Sequence, residues 1–485
     1  MKNVNSIFKV ALVGLFLIVL SACGKSNSGT SKDAASAFLS QNENIIVFGN
    51  TDLKAILTKS DYTNIPKLGK LLSTEFSALD KVIDFSVPLY YAVEGPIDLA
   101  GNPAATYAFI TLKDQDKFIA EMTGRGFDFY STGDLHYSED GDFAIGIKNK
   151  VAIVVVQNAD YEVESLMVDV FKKAETDLSG GATDDILAEK GDLVVGLNVA
   201  SLYGTSNTDL SDLSEEKQKS LKALVKDSYI QTVVKFEDGA AIIETKNFFS
   251  EELKEKMFFN ADKGAPVVAK LGKGNARAGF SMNVDMMKLQ ALVDEYSPEA
   301  ISELARSMGG TAQFALATTG SDMSKIFSGK LGVVMLGDLG GNGTMVPDFN
   351  VFLGLQPKGR DIGEMAKEMM SYSVEDVRLD NDGLTLSSSS DNVSRNGGLI
   401  LPKGCEDFAK SGVNAFINLE GVDFDSMDLE GEANVLRVIQ YITFEYDNDG
   451  GRIYIKAKKG KENILKQSME VLVKELESEI NNMAI

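Results

Sequence analysis

The chain has 485 residues, of which 44% are hydrophobic and 25% charged, a composition typical of globular domains rather than disordered chains. Its formal net charge is −23, from 71 acidic and 48 basic side chains, and the absence of any basic stripe excludes a nucleic-acid partner. The single histidine, His136, excludes sites that need two or more imidazoles on a transition metal, and the lack of tryptophan argues against a glycan-processing enzyme.

Residues 1–22 have the pattern of a lipoprotein signal peptide. Lys2 and Lys9 form a basic segment, an uncharged apolar segment of 11 residues follows, and the segment ends at Leu-Ser-Ala before Cys23. This apolar segment is too short for a comfortable bilayer span, so we expect a cleaved signal. The motif resembles the lipobox of bacterial lipoproteins, which implies a diacylglyceryl thioether on Cys23 and acylation of its new amino group. A secreted protein with an incidental Cys23 is the alternative.

Residues 23–36 are polar and predict a flexible tether between this anchor and the body of the protein. With Cys23 modified, Cys405 is the remaining cysteine, so no intramolecular disulfide is expected. We expect Cys405 to be a structural residue, with a free thiol or an intermolecular partner as alternatives.

Four short segments share one pattern, in which an apolar run ends at an asparagine and a helix or turn follows. These asparagines are Asn50, Asn198, Asn283 and Asn418. An asparagine side chain can bond the backbone N–H groups that start a helix or turn.

The elements between these asparagines recur in the same order. After Asn50 and again after Asn283, two strands flank a Gly-Asn turn, and a helix is predicted near Asp114 and near Asp361. After Asn198 and again after Asn418, a hairpin with an acidic-glycine turn leads into a polar helix. Apolar residues at helical spacing predict two further helices, from Val163 to Phe171 and from Leu465 to Ile480.

This order predicts an α+β fold made of two tandem copies of a mostly antiparallel sheet unit with packed helices. The copies are predicted at residues 37–262 and 268–485, with a glycine-rich linker between them near residues 271–275. The two asparagine-led elements in each copy also suggest an older and smaller duplication.

Three segments resemble ligand loops but are better explained as turns. Residues 337–343 are glycine-rich, yet they lack the Lys-Ser/Thr of a phosphate loop and are followed by a strand. The segments Asp380–Gly383 and Asp447–Gly451 resemble calcium loops, but they would place Ser389 or Lys456 where a bidentate glutamate is required. Weak calcium binding by these turns stays open.

No catalytic group stands out. A Ser-His or Cys-His enzyme would have to use His136, there is no Gly-x-Ser-x-Gly motif, and the neighbours of Cys405 match no cysteine-protease context. We therefore predict no catalytic, metal or cofactor site, and a single modification site, the lipidated Cys23.

The lipobox and the strand-asparagine-helix elements at Asn50 and Asn283 together resemble an uncharacterised family of Bacteroidetes lipoproteins, domain of unknown function 4836. The resemblance implies a Gram-negative envelope and supplies no catalytic residues. The residue after Cys23 is Gly24 rather than aspartate, which favours sorting to the outer membrane. No acidic export signal follows Cys23, which favours the periplasmic face of that membrane. Exposure on the cell surface is the alternative.

The function predicted on these grounds is a non-enzymatic binding or scaffolding protein of the cell envelope. It would be held to the membrane by its lipid anchor and would have an envelope protein as partner. The alternatives are a carboxylate-based hydrolase, which needs two acids with perturbed pKa values in one cleft, and an accessory subunit of an outer-membrane transport or assembly system.

Overall fold

A computed structural model describes residues 30–65, 68–98, 100–141, 143–157, 161–176, 180–205, 214–259, 267–297, 303, 320–337, 348–371, 374–389, 398–422, 424 and 431–483. The strands are, in chain order, β1 (Ile45–Thr51), β2 (Leu89–Ile97), β3 (Pro103–Thr111), β4 (Tyr130–Thr132), β5 (Leu135–Asp140), β6 (Phe143–Lys148), β7 (Val151–Gln157), β8 (Leu193–Asn198), β9 (Tyr229–Glu237), β10 (Ala240–Phe248), β11 (Gly274–Asn283), β12 (Phe327–Leu336), β13 (Asp348–Leu355), β14 (Asp376–Asp380), β15 (Gly383–Ser387), β16 (Leu399–Ile400), β17 (Val413–Asn418), β18 (Ile439–Asp447) and β19 (Gly450–Ala457).

Helices connect and cover these strands. They are α1 (Thr30–Ser40), α2 (Leu53–Ser60), α3 (Leu68–Leu79), α4 (Gln115–Gly124), α5 (Val163–Ala174), α6 (Ala182–Ala188), α7 (Val199–Thr205), α8 (Glu215–Leu224), α9 (Glu251–Lys256), α10 (Val267–Lys270), α11 (Met286–Tyr296), α12 (Arg360–Met370) and α13 (Ile464–Met483). Short 3₁₀ helices lie at Tyr62–Asn64, Met323–Lys325, Pro357–Gly359 and Gly431–Val438.

The prediction of two tandem sheet units is wrong. The strands belong to one nineteen-stranded sheet, in which most pairings are antiparallel and β11 makes a short parallel pairing with β16. The physical reason is that strand edges expose unpaired N–H and C=O groups, which extend a sheet wherever another edge is available. Repetition along the sequence therefore does not set where a sheet ends. The combination of helices with an antiparallel sheet agrees with the coarser α+β class.

The chain divides into two compact units, and neither is a continuous stretch of sequence. Unit 1 contains the described residues within Met1–Leu210, Val225–Phe249 and Lys461–Ile485. Unit 2 contains those within Ser211–Leu224 and Ser250–Gly460. In unit 1 the central strands pair in the order β10-β9-β8-β1-β2-β3-β7-β6, and in unit 2 the order is β19-β18-β17-β11-β12-β13-β15-β14.

The predicted tether overlaps the first helix. Residues 30–36 belong to α1, in which Ala34, Ala35 and Phe38 are buried in the main core of unit 1. Polar Ser, Thr and Asp residues in this segment suggested coil, but the two alanines and Phe38 form one apolar helical face that packs on the sheet. The remaining part of the tether, residues 23–29, lies outside the described residues.

Local predictions are confirmed along most of the chain. Helices begin at Gln115 and Arg360, α5 buries Met167, Val170 and Phe171, and both acidic-glycine hairpins form. In α13 the predicted C-terminal helix also forms, with side chains described as far as residue 474. The turn predicted at residues 341–343 lies outside the described part of the chain.

The four asparagines lie at strand ends, as predicted, but they act in two different ways. Asn198 and Asn418 accept hydrogen bonds through Oδ1 from the backbone N–H groups of Ala200 (3.1 Å) and Glu420 (3.0 Å). Asn50 instead points inward and donates to the Leu187 carbonyl at 2.9 Å, and Asn283 is also buried. The helices after Asn50 and Asn283 are capped by the aspartate two residues later, Asp52 or Asp285.

Candidate binding surface

The predicted anchor lies outside the described residues. Residues 1–29, including Cys23, fall in this part of the chain, so the lipobox stays a prediction. None of the helices described above combines the length and apolar composition that a bilayer crossing requires.

The lone histidine is half-buried and lies on the hairpin of β4 and β5. His136 faces Ser131 across β4 and β5, and Ser131 Oγ lies 2.8 Å from His136 Nδ1. Nucleophilic catalysis needs a further group that orients the histidine ring. Within the described residues His136 makes no second hydrogen bond, so this pair does not form a triad.

Cys405 is buried in the core of unit 2, as expected of a structural cysteine. Burial, together with the negative charge of Glu406, raises the pKa of its thiol to about 12. A thiol that stays protonated is a poor nucleophile. Cys405 therefore contributes packing at this position.

The two acidic turns are hairpin connections whose side chains make structural contacts. Asp382 pairs with Lys270 at 2.8 Å, and Asp447 Oδ1 accepts from the Gly412 N–H at 2.6 Å. Asn448 bonds the backbone N–H and C=O of Phe259. No cluster of three or more His, Cys, Asp or Glu placed to hold a metal occurs among the described residues. The glycine-rich segment 337–343 is described only at Gly337, where β12 has ended.

One pair of carboxylates has a perturbed environment. The pKa of Asp52 is raised to about 6, mainly by burial and also by the charge of Asp192, while the hydrogen bond from the Ala55 N–H and the charge of Lys59 act in the opposite direction. Asp192 is buried and binds Lys59 Nζ at 2.6 Å and the Phe236 N–H at 2.5 Å. Both carboxylates thus have structural roles. Asp52 caps α2, and Asp192 connects Lys59 of α2 with Phe236 of β9.

The most distinctive surface is a row of apolar side chains that crosses six strands of unit 2. The row follows the strand register and consists of Val351, Val333, Phe280, Ala415, Phe444 and Ile453. Directly opposed residues on antiparallel strands point to the same side of a sheet. Five of the six are half-buried, and Phe280, at the centre, is 39% exposed.

The rows on either side are also apolar. One consists of Phe349, Met335, Ala278, Ile417, Ile442 and Ile455, and the other of Leu353, Leu331, Met282, Val413, Tyr446 and Gly451. All twelve are half-buried. At the two edges some of them already pack within unit 2, Ile417, Ile442 and Ile455 against the cluster of Leu419, Phe424 and Ile439, and Leu353 against that of Leu355, Leu384 and Leu386. We call these three rows the apolar face. From strand spacings it measures about 24 Å across and about 14 Å along the strands, an area on the order of 300–400 Å².

The opposite side of the same strands forms the core of unit 2. Val334, Phe352 and Phe416 alternate with residues of the apolar face and are fully covered. An antiparallel sheet with one covered side normally shows polar residues on its other side. In unit 2 both sides are apolar, and apolar side chains left partly exposed in a contiguous group can mark an interaction site.

The corresponding strands of unit 1 have a mixed surface. The row through Val47 includes Thr106 and Asn247, and the adjacent row includes Thr232 and Thr245. The contrast shows that an apolar outer face is not required by the strand order itself. Sequence reasoning missed this face, although uninterrupted apolar runs such as Leu331–Leu336 were a signal that both sides of a strand are apolar.

Comparison with known proteins gives no assignment. No family model and no curated protein matches the chain. Among solved structures, crystal form I of TP0453 aligns at a TM-score of 0.27 and 8% identity, covering 47% of this chain and 80% of that one. Crystal forms III and IV of TP0453 align at TM-scores of 0.24 and 0.23, each at 8% identity, covering 75% and 71% of this chain and 93% and 87% of theirs. Similarity at these TM-scores supports no inference about fold or function.

Proposed function

We propose that this protein is a non-enzymatic lipoprotein of the cell envelope that binds an envelope protein through the apolar face of unit 2. The observation that carries the proposal is the in-register row centred on Phe280, apolar on all six strands and partly open to water. Covering such a face is favourable by roughly 25 cal/mol per Å² of apolar area removed from water.

A protein partner suits this face better than a small molecule. Small ligands are held in concave pockets that enclose most of their surface, whereas the apolar face is spread over six strands and is most exposed at Phe280 near its centre. Its footprint of about 300–400 Å² fits within a modest protein interface, which buries roughly 800 Å² on each partner. Service as an accessory subunit of an outer-membrane transport or assembly system is one form of this function.

The location of the protein follows from the lipobox. Lipidation of Cys23 would place the body at the outer membrane, and the residues after Cys23 favour the periplasmic face. Two acyl signals on one residue make such an anchor stable. The family resemblance to Bacteroidetes lipoproteins supports the same location.

Photo-crosslinking in cells tests the proposed function. A benzophenone amino acid at Phe280 or Val333 should yield a discrete protein adduct, identified by mass spectrometry. The same probe at Val156, an exposed strand residue of unit 1, is the matched control and should not yield that adduct. Phe280→Glu should abolish the adduct formed at Val333, because a charge cannot be buried there without a partner.

Three outcomes would contradict the proposal. The first is a set of adducts at Phe280 identical to those at Val156. The second is a lipid adduct alone, which would assign the face to a non-protein ligand. The third is hydrolysis of an ester, peptide or glycoside by purified protein that is lost on a single substitution, which would make the protein an enzyme.

A further inference from the structure

A cavity of about 210 Å³ lies in unit 2, and most of the side chains that line it share the side of the sheet to which Phe416 points. Its wall is the loop containing Gly404, Cys405 and Phe408, and its floor is made by β17, β18 and β19. Phe416, Thr443 and Tyr454 line it, and each is a chain neighbour of a residue on the apolar face. Successive strand residues point to opposite sides, but Ala415 and Phe444 of the apolar face also line the cavity, so the two surfaces adjoin.

The floor of the cavity combines a charged row with an aromatic row. Asn414, Glu445 and Arg452 lie in register across β17, β18 and β19. The next row on the same side consists of Phe416, Thr443 and Tyr454. A carboxylate and a guanidinium therefore lie next to an apolar wall that Phe408 completes, with its ring edge-on to that of Phe416 at 4.9 Å.

The charged groups of this floor have no ion-pair or hydrogen-bond partner among the described residues. Glu445 and Arg452 are direct cross-strand neighbours of opposite charge, an arrangement that usually forms an ion pair. Here no nitrogen–oxygen contact within 4.0 Å joins them, and neither makes a described hydrogen bond. The Arg452 guanidinium instead lies 5.6 Å from the centroid of the Tyr454 ring.

Asn414 provides a second polar group, and it is only 3% exposed. Its Nδ2 donates to the Ser411 carbonyl at 2.8 Å, and its Oδ1 receives no hydrogen bond from the described residues. This amide oxygen is therefore free to accept a hydrogen bond from a bound ligand. The cavity thus offers one cation, one anion and one uncharged acceptor, all available to a ligand.

The other ionisable groups of the wall add no charge. Burial and the nearby Glu406 carboxylate raise the pKa of Cys405 to about 12, which keeps the thiol protonated near neutral pH. Burial, with the adjacent Tyr454, also raises the pKa of Tyr441. The electrostatics of the cavity are therefore set by Glu445 and Arg452, with Asp407 on the rim already paired to Lys410 at 2.6 Å.

We propose that this cavity binds a free α-amino acid with an apolar side chain. The ligand carboxylate would pair with the Arg452 guanidinium, which matches carboxylates with two parallel hydrogen bonds. The ligand ammonium would donate to the Glu445 carboxylate and to Asn414 Oδ1, and its side chain would pack on Phe416 and Phe408. This site goes beyond the proposed function and does not depend on it.

The charges and the volume of the cavity favour an amino acid over a sugar or a longer peptide. A neutral sugar would leave both Glu445 and Arg452 without a countercharge, whereas a zwitterion satisfies both at once. A cavity of about 210 Å³ is smaller than the pockets of about 300–1,000 Å³ that hold drug-sized ligands, which favours one amino acid over a longer peptide.

Calorimetric titration of the purified full-length protein in detergent tests this site. The probes are free leucine and phenylalanine, their methyl esters, their N-acetyl derivatives, and glucose and galactose. We expect the free amino acids to bind, and each blocked derivative to bind about 10- to 100-fold more weakly, since each lacks one charge-assisted contact. These comparisons use the unaltered protein and so do not depend on the folding of a variant.

Substitutions assign each contact. Arg452→Gln should weaken binding of the free amino acid and abolish the preference over the methyl ester, and Glu445→Gln should do the same for the N-acetyl derivative. Glu244→Gln, in the Lys235–Glu244 ion pair of unit 1, is the matched control and should leave binding unchanged. The proposal is overturned if no amino acid binds with a Kd below about 1 mM, if blocked and free forms bind equally, or if a sugar binds instead.

Discussion

Lys59 Nζ lies 2.6 Å from both carboxylate oxygens of Asp192, and the Asp192 side chain is only 5% exposed. This ion pair joins α2 to the start of β8, and Asp192 also accepts the Phe236 N–H of β9. A buried carboxylate is tolerated when its charge is paired and its oxygens are hydrogen-bonded. Lys59 therefore supports a junction of three segments of unit 1.

Replacing Lys59 by methionine should lower the free energy of unfolding by about 1–3 kcal/mol, because it leaves the Asp192 charge buried without its cation. Urea unfolding measures this loss. The matched control is Lys235→Met, which removes the more exposed pair with Glu244 and should cost less than about 1 kcal/mol. Equal losses for the two variants would contradict the role given to Lys59.

Asp52 should make stability depend on pH between about 4 and 6. Its folded-state pKa of about 6 lies above the unfolded value of about 3.9, so the folded state binds the proton more tightly. Its stabilising contribution is complete below the unfolded pKa and is lost as the pH rises through the folded pKa.

Asp52→Asn keeps an acceptor that can cap α2 but removes this titration. The free energy of unfolding of the variant, relative to the unaltered protein, should rise between about pH 4 and pH 7. Urea unfolding at intervals across this range measures the difference. A constant difference at all pH values would show that the pKa of Asp52 is not raised.

Asn50, which points into the core, should contribute more to the free energy of unfolding than Asn418, whose hydrogen bond is more exposed. Asn50→Ala removes the buried donor to the Leu187 carbonyl and should cost about 1–3 kcal/mol. Asn418→Ala removes a more exposed bond to the Glu420 N–H and should cost less than about 1 kcal/mol. Thermal or urea unfolding of the two variants gives the comparison, and the reverse order would refute the distinction.

Cys405 should be inert in the folded protein. With a pKa of about 12, only about one thiol in 10⁴ is ionised at pH 8, and the side chain is buried. In a Cys23→Ala variant, which retains one cysteine, a disulfide thiol reagent should modify no thiol in native buffer and one per chain in guanidinium. Rapid modification of the native protein would show that the loop around Cys405 opens.

The lipid anchor predicts a change of location. Cys23→Ala should move the protein from the membrane fraction to the soluble fraction of cells, because acylation at that residue supplies the membrane affinity. The control is Cys405→Ala, which should remain with the membrane. Unchanged membrane association of the Cys23→Ala protein would contradict the lipobox interpretation.

Much of the local structure was predictable because it depends on neighbouring residues. The spacing of Met167, Val170 and Phe171 predicts a helical face, and the helix forms. The positions of the four asparagines at strand ends were predictable, but the direction of each side chain was not. Asn50 points inward because it bonds the Leu187 carbonyl, which is distant in the sequence. The predicted end of the tether, residue 36, was wrong for a similar reason. Residues 30–36 belong to α1, which forms because Phe38 packs on the sheet.

The sequence by itself determined the pattern of strands, turns and helices and the chemistry of the N-terminal segment, because both follow from residue type and short-range spacing. The tertiary structure decided that the strands form one sheet, that the row through Phe280 is left partly open, and that Glu445 and Arg452 face a cavity rather than each other. The physical reason is that a period of two residues tells which side chains share a side of a strand. Which side is covered depends on segments that are far away in the sequence.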